Sequence, residues 1–108
     1  MDRRAAIAAY KERKSVAGVF SLRCSATGEI WVGSALDIDK MFNRLTFSLR
    51  TGGWSGPALQ AAWKTHGPGA FAFETLERLP DAPSAYVRDA ALKDRRDFWR
   101  EKLAASPA

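Results

Sequence analysis

Apolar and polar positions along the chain change period several times, and each change marks an element. In VAGVFSLRC (16–24) the apolar positions Val19 and the Leu22/Cys24 pair alternate around Phe20, which predicts a strand with one well-buried stretch. SATG (25–28) is a turn, with Gly28 free to take a positive φ. EIWVG (29–33) is β-branched and aromatic, so the two segments predict a hairpin. From Asp37, a suitable N-cap, the period becomes helical: Ile38, Met41, Phe42, Leu45 and Leu49 fall on one side. TGG (51–53) ends that helix, with Gly52 or Gly53 as a left-handed cap. WSGPALQAAWKTHG (54–67) predicts a second helix, with Pro57 in its first turn, Gly67 at its end, and Leu59, Ala62 and Trp63 on its apolar side.

AFAFETLERL (70–79) sets Phe71, Phe73, Leu76 and Leu79 against Glu74, Glu77 and Arg78, a third strand. PDAPS (80–84) is a turn that ends in a cap, and residues 84–104 predict a last helix offering Tyr86, Ala90, Leu92, Phe98, Trp99 and Leu103 for packing. Ahead of all these, residues 2–14 are Ala-rich, without Gly or Pro, and suit a helix that docks through Ile7 and Tyr10. The expected fold is a small α+β domain: a three-stranded antiparallel sheet flanked by helices, with an extra N-terminal helix. The expected organisation is one domain over 1–108, with a basic helix at 1–14 and a core at 16–103.

Composition narrows the functional classes. Hydrophobic residues make up 46% and charged ones 27% of 108, the balance of a globular chain rather than a disordered one. No apolar run approaches the roughly 18 residues of a membrane span. The single Cys24 has no partner for an internal disulfide, and MDRRAAIAAYKERK lacks the apolar block of a secretory leader, so the expected location is cytoplasmic. Formal net charge is +5, and its excess sits in residues 1–14 and 88–102, while 15–87 carries six charges of each sign. A basic surface attracts polyanions, nucleic acid foremost; the plain alternative is a charge that only keeps the chain in solution.

The hairpin carries a further pattern. Gly18-Val19-Phe20 and Trp31-Val32-Gly33 stand on adjacent strands, with ten residues between Phe20 and Trp31. GSALDI (33–38) leads into the first helix, LQAAWKTHG (59–67) precedes the third strand, and DRRDFWREKL (94–103) closes the last helix. In order and spacing this resembles the GIY-YIG nuclease superfamily over roughly 16–103. The resemblance implies the fold read above and hydrolysis of a phosphodiester with one divalent metal, Mg²⁺ or Mn²⁺. It implies a tyrosine on each of the two strands, an arginine and often a histidine on the first helix, and a metal-holding glutamate on the last. The matching positions here carry Phe20, Trp31, Met41, Leu45 and Arg96. None of these can accept a proton from water, and Arg96 sets a cation where a metal would be held.

Three readings follow. In the first, a nuclease-fold protein with impaired cleavage binds DNA through basic helices, with Arg44, Lys40, Arg50, Trp54 and Arg96 as contacts. In the second, cleavage survives in a rearranged site, with Arg44 one turn beyond Met41 neutralising the phosphate and Asp97 or Asp94 holding the metal. In the third, the apolar former cleft receives a protein partner. Trp31 would stack on a base if its ring lined that cleft; otherwise Phe20, Trp31, Met41 and Leu45 form a repacked apolar pocket. Trp54, between glycines, either presents its ring to a base or folds back on the domain. His66 in its turn and Cys24 in its strand are read as structural.

Overall fold

A computed structural model describes residues 15–108; the expected helix at 2–14 and its basic side chains lie outside the described residues. The described elements are β1 (Gly18–Cys24), β2 (Ile30–Ala35), α1 (Ile38–Thr51), α2 (Pro57–His66), a short 3-10 turn (Pro68–Ala70), β3 (Phe71–Arg78), α3 (Ala85–Leu103) and β4 (Ser106–Pro107). The sheet order is β3-β1-β2-β4. β1 runs antiparallel to both β2 and β3, and the two-residue β4 adds a parallel pairing to Trp31 and Val32. This fourth strand was not expected; two residues, one of them proline, leave no readable alternation.

Alternation along the strands sorts the sheet into two faces. Phe20, Leu22 and Cys24 of β1 share a face with Trp31, Gly33 and Ala35 of β2. That face is buried beneath Ile38, Met41, Leu45 and Leu49 of α1 and Leu59 and Trp63 of α2, forming one core cluster. The glycines of both tripeptides are demanded by this packing. A Cβ on Gly33 would stand 2.7 Å from Cζ of Phe20, and one on Gly18 would stand 2.5 Å from the carbonyl oxygen of Glu77. α1 ends as expected at Gly52, left-handed at φ 80°, but Asp37 makes no side-chain cap bond at its start. Asp37 instead accepts a hydrogen bond from Ser15 at 3.3 Å.

The other face carries α3. Ser84 caps this helix by accepting the backbone N–H of Val87. The irregularity between Val19 and Phe20 pairs Val19 with Glu77 and Phe20 with Thr75, leaving Leu76 as an extra residue in β3. The bulge explains why apolar alternation in 70–79 breaks phase after Phe73. It also moves Glu77 from the α1 face of the sheet to the face that carries α3. There Nε of Arg95 and Nε1 of Trp99 both donate to Glu77, each at 2.9 Å. Burial pushes the Glu77 carboxyl up, but the hydrogen bonds from Trp99 and Arg95, with the charge of Arg95, outweigh it and hold the group below its ordinary range. The packing face of α3 therefore differs from expectation. Leu92 is buried and Trp99 and Leu103 are half-buried, whereas Tyr86, Ala90 and Phe98 face outward. Bonds to one carboxylate set the rotation of this helix where apolar periodicity is weak. Phe42, expected in the core, also leaves half its surface exposed.

Two outcomes test this packing. Gly33→Ala is expected to lower stability by about 1–3 kcal/mol, read as a shift of the urea midpoint, because the new methyl overlaps the Phe20 ring. Glu77 is charged more readily folded than unfolded, so its contribution is complete above the unfolded value of about 4.3 and is lost as pH falls through the lower folded value. Urea unfolding from pH 7 down to pH 3 is expected to show wild type losing more stability than Glu77→Gln, which cannot titrate; equal losses would remove Glu77 as the cause.

Candidate functional site

α1 lies across its face of the sheet with a groove on either flank. One is a cleft of about 490 Å³ toward the β2 side of the sheet, lined among others by Ser34, Lys40, Met41, Arg44, Trp54 and Ser55. Positions 40, 41 and 44 share that flank of the helix. The outward ridge of α1 carries Lys40, Asn43, Arg44 and Phe47, all exposed. Lys40, exposed, stands 3.9 Å from Asp37, a half-buried carboxylate that also lines the cleft, so the pair is loose. Among the described residues Arg44 has no carboxylate within ion-pair distance. The ridge's own carboxylate, Asp39, is held by Arg78. A cationic strip with its acid already paired leaves positive potential along the helix, with Arg44 at the rim of the cleft.

The floor of this region is apolar. Phe20 and Trp31 are each 1% exposed, Met41 6% and Leu45 0%, all within the one core cluster. Phe20 stacks on Phe73 at 5.3 Å between ring centroids, and Trp31 packs on Phe71 at 6.1 Å. Trp31 thus has no ring face for a base, and the reading in which it stacks on one is corrected. Its Nε1 is buried without a hydrogen-bond partner among the described residues. Four of the five positions where the resemblance implies catalytic side chains are core.

The fifth is Arg96, half-buried on α3, its Nε out of solvent and without a hydrogen-bond partner among the described residues. Its neighbour Asp97 stands 3.6 Å from Arg96 and 3.8 Å from Arg100. Arg100 reaches the sheet, its Nε donating to the backbone carbonyl of Val32 at 3.2 Å. Burial, and then the charge of Arg96, pull the Arg100 guanidinium below its ordinary value despite Asp97. The divalent metal that the resemblance implies does not fit these donors. Asp97 is shared by two guanidinium groups, Asp94 is exposed apart from them, and among the described residues no group of three His, Cys, Asp or Glu side chains comes together. What the pair of arginines suits is an anion.

The remaining candidates separate. Trp54 has folded back: it packs half-buried against the core, its backbone N–H donates to Oε1 of Gln60, and its indole forms a wall of the cleft. Arg50 lies on the opposite flank of α1 and does not meet Arg44 and Lys40 in the cleft. His66 ends α2 away from the cleft lining, and Cys24 is fully buried in the core. Sequence reasoning missed Arg100, which four residues after Arg96 shares its side of α3, and the ridge residues Asn43 and Phe47 between the basic positions.

No family model matches the chain. Over 86 residues, 80% of its length, it is 29% identical to intron-associated endonuclease 1 of Enterobacteria phage T4. That match covers 32% of the relative, so the chain spans about a third of its length. The catalytic domain of the homing endonuclease I-TevI matches with a TM-score of 0.68 and 26% identity, over 82% of this chain and 88% of that one. A single-site mutant of that domain matches with the same score and identity over 84% of its own chain.

Proposed function

The chain is a divergent member of the GIY-YIG nuclease superfamily, and on that premise we propose that it binds DNA without cleaving it by the family's usual route. The observation that carries the proposal is the division of the site. The positions needed for hydrolysis are sealed in the core or replaced by Arg96, while the cations on α1 remain turned outward. Activating water needs a group that takes its proton, and Phe20 and Trp31 supply none. Holding a phosphate needs only cations and N–H donors, which Lys40, Arg44, Arg96 and Arg100 provide. Arg44 is the principal phosphate contact in this reading, with Lys40 beside it. The names of the matched relatives, an intron-associated endonuclease and a homing endonuclease, support DNA as the polyanion.

Supercoiled plasmid incubated with the protein in Mg²⁺ or Mn²⁺, with an EDTA control, is expected to stay intact. Duplex DNA is expected to shift on a gel with an affinity that falls steeply with salt. Arg44→Ala is expected to weaken binding several-fold and make the log–log salt slope shallower by about one. Nicking that needs both metal and Arg44 would overturn the proposal in favour of a rearranged nuclease site. Failure to bind nucleic acid even at low salt would leave the cleft as a protein-docking surface.

A further inference from the structure

The groove on the other flank of α1 is unlike the cleft. It holds about 250 Å³ and is walled by Leu22, Phe42, Trp63, Phe71 and Phe73, with Arg50 at its rim. Residues 42, 46 and 50 stand one turn apart on this flank, so the basic ridge and the groove belong to the same helix. Two aromatic pairs line it, with Thr46 and Pro68 beside them. Phe42 lies 5.4 Å from Phe73, and Trp63 lies 5.1 Å from Phe71, ring centroid to centroid. Phe42 is 50% exposed, so it presents its ring where packing alone would bury it. No carboxylate lines the groove, and Arg50 has no ion pair among the described residues. Flat π faces beside one cation suit a flat, π-rich ligand that carries negative charge close to its ring. A nucleobase on its phosphate has that chemistry.

We propose that this groove takes one unstacked base of a bound DNA strand, with Arg50 on the adjoining phosphate. The inference rests on the DNA-binding reading above and deepens it: the preferred ligand is DNA with a single-stranded or distorted step. Arg44 and Arg50 lie about 9 Å apart along the axis of α1 and on opposite flanks, so a strand that contacts both crosses the outward ridge of the helix, where Asn43 and Phe47 are exposed. An aliphatic ligand would use neither the ring faces nor the cation.

The test is binding of a short single-stranded oligonucleotide containing 2-aminopurine, beside an unmodified duplex, in wild type and in Phe42→Ala, Phe42→Trp and Arg50→Ala. The expected result is a change in 2-aminopurine fluorescence on binding to wild type. Phe42→Ala is expected to lose roughly five- to hundredfold in single-strand affinity, while its duplex affinity stays within about twofold. Phe42→Trp keeps a stacking face and is expected to match wild type. Arg50→Ala is expected to make the single-strand salt slope shallower by about one. Single-strand affinity unchanged in Phe42→Ala, loss in Phe42→Trp as deep as in Phe42→Ala, or equal binding of an oligonucleotide of abasic sugars would overturn the groove. Any of these results with duplex binding intact leaves the DNA-binding reading standing. Failure of wild type to bind either oligonucleotide overturns both.

Discussion

The contact of Phe20 with Gly33 is the constraint on which the rest of the site depends. The two residues pair across β1 and β2, and the ring occupies the space a Cβ on Gly33 would need. Phe20 then stacks on Phe73, so one side chain ties together three strands. The hairpin face so filled is apolar from edge to edge, and α1 must lie on it through Ile38, Met41, Leu45 and Leu49. Its opposite side, with Lys40, Asn43, Arg44 and Phe47, is thereby turned to solvent. Cleft and groove are what remain on either flank once the helix is seated.

That packing also decides the chemistry. A hydroxyl or guanidinium can work in a cleft only if it reaches solvent or substrate, and burying one without a partner costs several kcal/mol at most sites. Apolar side chains at 20, 31, 41 and 45 instead close the floor and strengthen the core. A scaffold similar to that of a homing endonuclease's catalytic domain persists, because it depends on strand pairing and glycine positions rather than on the reacting groups. The last helix follows the same logic. Arg95 and Trp99 converge on Glu77 and Arg100 reaches Val32, so polar bonds hold α3 where apolar contacts are few.

Much of this architecture was legible in the residues. The hairpin, both middle helices, the Gly52 cap and the Ser84 cap follow from local periodicity and turn chemistry, which act within a few neighbours. The rotation of α3 was not legible. Its apolar residues spread around the helix, and the decisive partner, Glu77, lies 18 and 22 residues from Arg95 and Trp99. Glu77 faces that helix only because a bulge opposite Val19 and Phe20 moves it across the sheet. The fates of the three prominent tryptophans show the same division. Trp31 is sealed in, Trp54 walls the cleft and Trp63 walls the groove, although Trp54 stands among glycines and Trp31 and Trp63 in apolar segments.

By itself, then, the sequence determined the three longer strands, the three helices of the described residues, their order and the absence of a proton acceptor or carboxylate at the implied reactive positions, since these reside in residue identity and short spacing. Tertiary structure alone decided what the cations face. Helical spacing sets Arg44 and Arg50, six residues apart, on different flanks of α1, and the sheet beneath makes those flanks two separate grooves. Arg96 and Arg100 are neighbours by helical spacing, but Arg100 meets the carbonyl of Val32 because α3 is seated on the sheet. Helical spacing states which side chains are neighbours, but the surface against which the helix packs decides what lies between them.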